Sequence, residues 1–166
     1  MTPHLYIFDA DDTLRRTLVP GQPCPHGPLE WELLPGVRRR LARIPFGPQG
    51  PFLAIASNQD HVGYGLLSAP LAYRLLLDLA IAAAGPVRPA PYIAFCPHRL
   101  DEPCDCRKPA PGLLLGALAH FRVAPADALF VGNAPCDAAA AAHARIPFLH
   151  AREFFASPGS DGARLD

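Results

Sequence analysis

Leu5-Tyr6-Ile7-Phe8-Asp9-Ala10-Asp11-Asp12-Thr13 is the stretch on which the reading of this chain turns. Four consecutive apolar residues, two of them aromatic and one β-branched, predict a short strand buried on both faces. The run stops abruptly in three carboxylates and a threonine. Two carboxylates one residue apart at a strand end are expected to lie close and repel. That repulsion raises one pKa unless a cation intervenes, so an acid and a base can coexist at neutral pH. A carboxylate is also a competent nucleophile toward phosphorus. Taken alone, the cluster reads equally well as a turn capped by Asp and Thr.

The same strand-then-polar pattern recurs downstream. Residues 15–30 carry Pro20, Gly21, Pro23, Pro25, Gly27 and Pro28 and read as an irregular loop. Pro35-Gly36 opens a predicted helix to about Ile44. A second strand, Phe52 to Ala56, runs into Ser57-Asn58-Gln59. A helix from Pro70 to Ala84 is stopped by Gly85-Pro86, and a third strand, Tyr92 to Phe95, leads into a cysteine-rich loop. A helix from Pro111 to Phe121 precedes a fourth strand, Ala128 to Val131, which ends at Gly132-Asn133. An alanine-rich helix from Cys136 to Ala144 and a last strand, Phe148 to His150, follow. Strands alternating with helices imply an α/β three-layer, Rossmann-like domain with a central parallel sheet. Ligands in such sheets bind beyond the carboxyl ends of the strands, which is where the polar residues fall. The expected organisation is one domain over 1–156 and a flexible C-terminal tail over 157–166.

With 166 residues, half of them apolar, 18% charged and a formal net charge of zero, the composition is that of a globular domain without the basic excess of an extended nucleic-acid surface. No secretory signal and no membrane-spanning segment is evident, which predicts a cytoplasmic chain. The five cysteines are an odd number, and three of them fall between 96 and 106. They suit a metal site in a reducing compartment better than a disulfide framework. Cys96, His98, Cys104 and Cys106 offer three thiolates and an imidazole, a set matched to tetrahedral zinc. Cys24-Pro25-His26 repeats the Cys-Pro-His triplet without neighbouring cysteines and reads as loop. Cys136 reads as a small helix residue, and His61 as a solvated side chain near the pocket. Every basic residue but Lys108 is arginine, so position 108 stands out as one where an ammonium is needed and a guanidinium is not a substitute.

Asp-x-Asp-x-Thr after an apolar strand, Ser57 after the next, Lys108 before a helix, and Gly132-Asn133 with Asp137 after a later strand occur in that order. The layout resembles the haloacid dehalogenase (HAD) superfamily of aspartyl-phosphate hydrolases. Ser57-Asn58-Gln59 with Val62-Gly63-Tyr64-Gly65, Cys96-Pro97-His98, and Cys104-Asp105-Cys106-Arg107-Lys108-Pro109 are similar to the D-glycero-D-manno-heptose 1,7-bisphosphate phosphatase family. Histidinol phosphatases share that layout, and polynucleotide 3′-phosphatases share the Asn-Gln loop. The resemblance runs from about residue 4 to 150.

The resemblance implies a role for each matched position. Asp9 would be the nucleophile and Asp11 the general acid/base, with Ser57 and Lys108 holding phosphoryl oxygens and Asn58 and Arg107 touching substrate. A magnesium ion would be held by Asp9, the main-chain carbonyl of Asp11 and Asn133, with Asp137 as a compensating carboxylate. The zinc is expected to be structural, tying down the loop that delivers Arg107 and Lys108. Spacing leaves no room for a cap domain between Asp9 and Ser57 or between Ser57 and Lys108. The expected partner is a small phosphorylated substrate such as a sugar phosphate, and the expected state a monomer.

Three positions depart from the family pattern. Asn133 stands where Asp is usual, removing a charge from the magnesium site. Ala134 and Tyr64 stand where basic residues are usual, leaving a second phosphate with fewer partners. The competing readings are a nucleic-acid 3′-end phosphatase, disfavoured by the neutral charge, and a catalytically weakened binding protein of the same fold. An intact Asp9, Asp11, Ser57 and Lys108 argues against the latter.

Overall fold

Strand β1 (Leu5–Phe8) is buried at all four positions and occupies the centre of a five-stranded parallel sheet. In a computed structural model of the chain, which describes residues 2–156, β1 pairs with β4 (Phe52–Asn58) on one side and β6 (Ala128–Gly132) on the other. The outer strands are β5 (Tyr92–Cys96) and β7 (Phe148–His150), giving the order β5-β4-β1-β6-β7. Side chains alternate across a strand, so β1 feeds two cores. Leu5 and Ile7 face α3 (Gly112–Phe121) and α4 (Pro135–Ala144), packing with Leu114, Ala117, Ala140 and Ala144. Tyr6 and Phe8 face α1 (Val37–Leu41), α2 (Ala69–Ala84) and α5 (Ala151–Ala156), packing with Leu41, Leu76, Leu79 and Phe154. The three-layer α/β expectation holds.

Register sets the site. Leu5 is level with both Phe52 and Ala128, and Phe8 with both Ile55 and Val131. The carboxyl ends of the three central strands therefore finish together, bringing Asp9, Ser57 and Asn133 to one rim. Strand β4 runs further than its sequence suggests, because Ser57 and Asn58 still pair with Phe95 and Cys96.

Two local expectations are corrected. The stretch 15–30 is not irregular throughout: β2 (Arg15–Thr17) pairs antiparallel with β3 (Trp31–Leu33), and the proline-rich segment is the loop between them. Helix α1 ends at Leu41 rather than near Ile44. Helix α5 has no counterpart in the sequence reading. It forms because Ala151 and Phe154, one turn apart, are both buried, with Phe154 set edge-on to the ring of Phe8 at 5.5 Å. The expected tail, 157–166, lies outside the described residues. Among the described residues no helix is long and apolar enough to cross a membrane.

Candidate active site

Lys108 is the hub of the rim. Its Nζ lies 2.6 Å from Asp9 Oδ1, 2.7 Å from Asp137 Oδ1 and 2.9 Å from the carbonyl of Ala56, three acceptors for three N–H groups. Hydrogen-bond alignment is good toward Asp9 and Ala56. Toward Asp137 the pairing is by charge, since Asp137 Oδ1 receives no aligned donor. The ammonium is almost wholly buried, which favours its neutral form, but the two carboxylates outweigh burial and its pKa is raised.

Burial pushes the Asp9 carboxyl up to about 6; Lys108 opposes that rise, Asp137 adds to it, and Asp11 contributes least. The expected rise in one carboxyl is present, but desolvation is its main cause and repulsion from Asp11 a small part. Asp11 also has other partners. Arg15 Nε donates to Asp11 Oδ1 at 2.8 Å and Gln59 Nε2 to Asp11 Oδ2 at 2.8 Å. Gln59 also donates to Ser57 Oγ at 2.9 Å, so one side chain positions both Asp11 and Ser57. Arg15 is 1% exposed, and its Nη1 reaches the carbonyl of Leu75. Asp12, between Asp11 and Thr13, takes a left-handed φ of 59°, a conformation Asp tolerates better than most residues.

The hydroxyl of Thr13 lies 3.1 Å from both Asp9 Oδ2 and Asn133 Oδ1. One hydroxyl carries one proton, so three oxygens converge with a single hydrogen between them. Such an all-oxygen set, anionic at Asp9, fits a hard divalent cation of the magnesium type. Asp137 is committed elsewhere: Oδ2 accepts the backbone N–H groups of Asn133 and Ala134, at 3.1 and 3.0 Å. In the first turn of α4 it fixes the turn that presents Asn133 and holds Lys108 from behind. Gly132 permits this approach, since a Cβ there would lie 2.5 Å from Asp137 Oδ2.

Asn58 and Arg107 also serve structure in this arrangement. Asn58 exchanges two hydrogen bonds with the backbone of Lys108, at 3.1 and 3.0 Å. Arg107 pairs with Asp60 at 3.5 Å and donates to the carbonyl of His98 at 3.3 Å. The cysteine loop closes on itself. Cys96 Sγ is 3.7 Å from Cys104 Sγ and 3.4 Å from His98 Nδ1, and Cys106 Sγ is 3.3 Å from the same nitrogen. Ligands of a tetrahedral zinc sit about 3.8 Å apart for two sulfurs and about 3.6 Å for sulfur and nitrogen, given its bond lengths. The four donors fit. Burial pushes Cys106 up to about 12, whereas at Cys104 backbone N–H groups of Arg107 and Cys106 outweigh burial and lower the thiol to about 7. Crowded thiols of this kind are relieved by a divalent cation.

Sequence reasoning missed Thr13 as a site residue, and also Arg15, Gln59 and Asp60. The Asp-x-Asp-x-Thr spacing carried the signal for Thr13. Arg15 had only its position four residues after Asp11, and nothing distinguished it from its exposed neighbour Arg16. The reading of His61 as solvated is also corrected. It is partly buried, and its Nδ1 lies 2.6 Å from Nε2 of His26.

No protein-family model matches the chain. It is 34% identical over 114 residues to the D-glycero-beta-D-manno-heptose-1,7-bisphosphate 7-phosphatase of Pseudomonas putida, an alignment covering 68% of this chain and 63% of that protein. To the D-glycero-alpha-D-manno-heptose-1,7-bisphosphate 7-phosphatase of Mycobacterium tuberculosis it is 31% identical over 134 residues, covering 79% of this chain and 67% of the other. The chain thus spans a little under two thirds of the Pseudomonas relative. A crystal structure of the D,D-heptose 1.7-bisphosphate phosphatase from B. bronchiseptica, complexed with magnesium and phosphate, superposes with a TM-score of 0.71 at 26% identity, covering 99% of this chain and 91% of that one.

Proposed function

The chain belongs to the HAD-type heptose-1,7-bisphosphate phosphatase family, and from that premise we propose that it is a magnesium-dependent phosphatase hydrolysing a phosphate monoester of a sugar or similar small metabolite through an aspartyl-phosphate on Asp9. The observation that carries the proposal is Lys108 clamped between Asp9 and Asp137 at the common end of the central strands. It supports a site built to hold an anion against a carboxylate nucleophile.

In the first half-reaction an Asp9 oxygen bonds to phosphorus as the bond to the leaving oxygen breaks, and Asp11 gives that oxygen a proton. In the second, Asp11 takes a proton from water as the water oxygen attacks phosphorus and Asp9 is released. Asp11 accepts from both Arg15 and Gln59, contacts that fix where its carboxyl group stands for both proton transfers. Lys108 and Ser57 would meet the charge that moves onto the phosphoryl oxygens. Asp9, the carbonyl of Asp11 and Asn133 would hold magnesium. When bound, the cation offsets the repulsion between the Asp9 carboxylate and the incoming phosphate. The zinc donors Cys96, His98, Cys104 and Cys106 would pin the loop bearing Lys108 and take no part in the chemistry.

The test is a panel of phosphorylated sugars with a 3′-phosphorylated oligonucleotide as control, assayed with magnesium. Sugar phosphate turnover is expected, and Asp9→Asn should abolish it while circular dichroism and melting stay native. Comparable turnover by Asp9→Asn would sink the covalent mechanism. Turnover of the oligonucleotide alone would move the substrate to nucleic-acid ends, and no turnover of any ester would favour the binding-protein reading.

A further inference from the structure

Cys24, His26 and His61 come from two separate loops and meet beside the catalytic rim. Cys24 and His26 belong to the proline-rich segment between β2 and β3. His61 lies two residues beyond Gln59, the side chain that donates to Asp11 and Ser57. One donor atom from each of the three lies within 4.8 Å of the other two. Cys24 is 5% exposed, and the imidazoles are partly buried, set edge to face with centroids 4.9 Å apart.

Both loops are braced to hold these donors. The backbone N–H of His26 donates to Glu30 Oε2 at 2.8 Å. The carbonyl of His61 accepts from Leu66 and Leu67, at 2.9 and 3.2 Å.

Two imidazole nitrogens at 2.6 Å need either a proton or a metal ion between them, because two bare lone pairs repel. A single shared proton would serve the histidine pair, but it gives no reason for a buried thiol to converge on the same point. A divalent metal gives one. We propose that Cys24, His26 and His61 form a second transition-metal site, distinct from the four-donor cysteine loop, that takes zinc or a similar borderline cation. One thiolate and two imidazoles suit such ions and not magnesium or calcium. Ligand nitrogens on a tetrahedral zinc sit about 3.3 Å apart, so the rings would separate by a side-chain rotation. With three protein donors, one coordination position is left for water or another oxygen, as in zinc sites that are not purely structural. This proposal stands apart from the phosphatase reading, since metal can be counted without any turnover.

The experiment is a cobalt(II) titration of the full chain after metal removal, followed by absorption, with elemental analysis of zinc-reconstituted protein. With excess magnesium present to occupy the all-oxygen site, two equivalents per chain are expected. The three-thiolate loop should give the strong sulfur-to-cobalt band, and the second site a band roughly one third as intense, in proportion to its single thiolate. His61→Ala and His26→Ala should each reduce the count from two to one and remove only the weaker band, with melting curves confirming the fold. Cys24→Ser should do the same. A wild-type count of one, or a second equivalent that survives all three substitutions, would overturn the proposal.

Discussion

Lys108 shows how closely a single residue type can be required. Its ammonium has three acceptors within 2.9 Å in a pocket where the residue is only 4% exposed. A planar guanidinium is wider and directs its N–H groups in a fixed fork. Lys108→Arg should therefore cost kcat on the order of a hundredfold or more, the usual penalty for misplacing a donor to a developing charge. Steady-state kinetics on an aryl phosphate checks this, and near-normal activity would return the lone lysine to chance. Asp9 makes a pH prediction. Its folded pKa of about 6 lies above the ordinary carboxylate value, so its contribution to stability is full below the unfolded pKa and is lost as pH rises toward 6 and beyond. Carbon-detected titration of the metal-free protein should show a carboxyl stepping near pH 6, absent in Asp9→Asn. Magnesium should move that step to lower pH. If no carboxyl titrates above the ordinary range, desolvation at Asp9 is smaller than the packing implies. Arg15 was illegible for a simple reason. Alternation along β2 buries one of Arg15 and Arg16 and exposes the other, and the sequence does not say which.

The loop from Cys96 to Lys108 is the element whose order matters most. It leaves the edge strand β5, turns through four metal-type donors and ends at the ammonium, with Asn58 clasping its last peptide. It also packs onto the start of α3 so closely that a Cβ at Gly112 would lie 2.3 Å from the carbonyl of Asp105. Removing zinc with a chelator should lower the melting temperature by at least about 4 °C, which for a chain of this size is about 1–2 kcal/mol. Activity should fall with it, and both should return with one equivalent of zinc at this loop. Unchanged melting and activity after zinc loss would count against a structural metal. This loop was readable in advance because thiols and an imidazole at short spacing carry their own chemistry. The β2–β3 ribbon was not, because its strands are three residues each and are separated by a segment rich in proline and glycine that masks any period.

At the scale of the whole molecule, substrate and cation binding are linked to folding. Magnesium and inorganic phosphate together should raise the melting temperature more than either alone, by an amount that at a hundredfold excess over Kd corresponds to about 2.7 kcal/mol. Asn133→Asp should reach the same stabilisation at lower magnesium, since a full charge near a cation is worth about 4 kcal/mol at 4 Å and an effective dielectric of about 20, before relaxation. An unchanged magnesium midpoint would remove position 133 from the metal site. What the sequence alone determined was the alternation of strands and helices, the central buried strand, the identity of Asp9, Asp11, Ser57 and Lys108 as candidates, and the zinc-type loop. The elements and the loop follow from local periodicity and from residue chemistry at short spacing, which need no knowledge of distant neighbours, and the four candidates follow from a motif order that resembles the HAD superfamily. What only the tertiary structure decided was partnership. Asp137 is spent on Lys108 and a helix turn, Asp11 is taken up by Arg15 and Gln59, and Cys24 and His26 converge on His61, 35 residues further along. The pairings of Lys108 with Asp137, of Gln59 with Asp11 and of His26 with His61 join segments far apart in the chain, brought about by strand register and by which side of the sheet a loop returns to, and neither quantity is written in the spacing of the residues that meet.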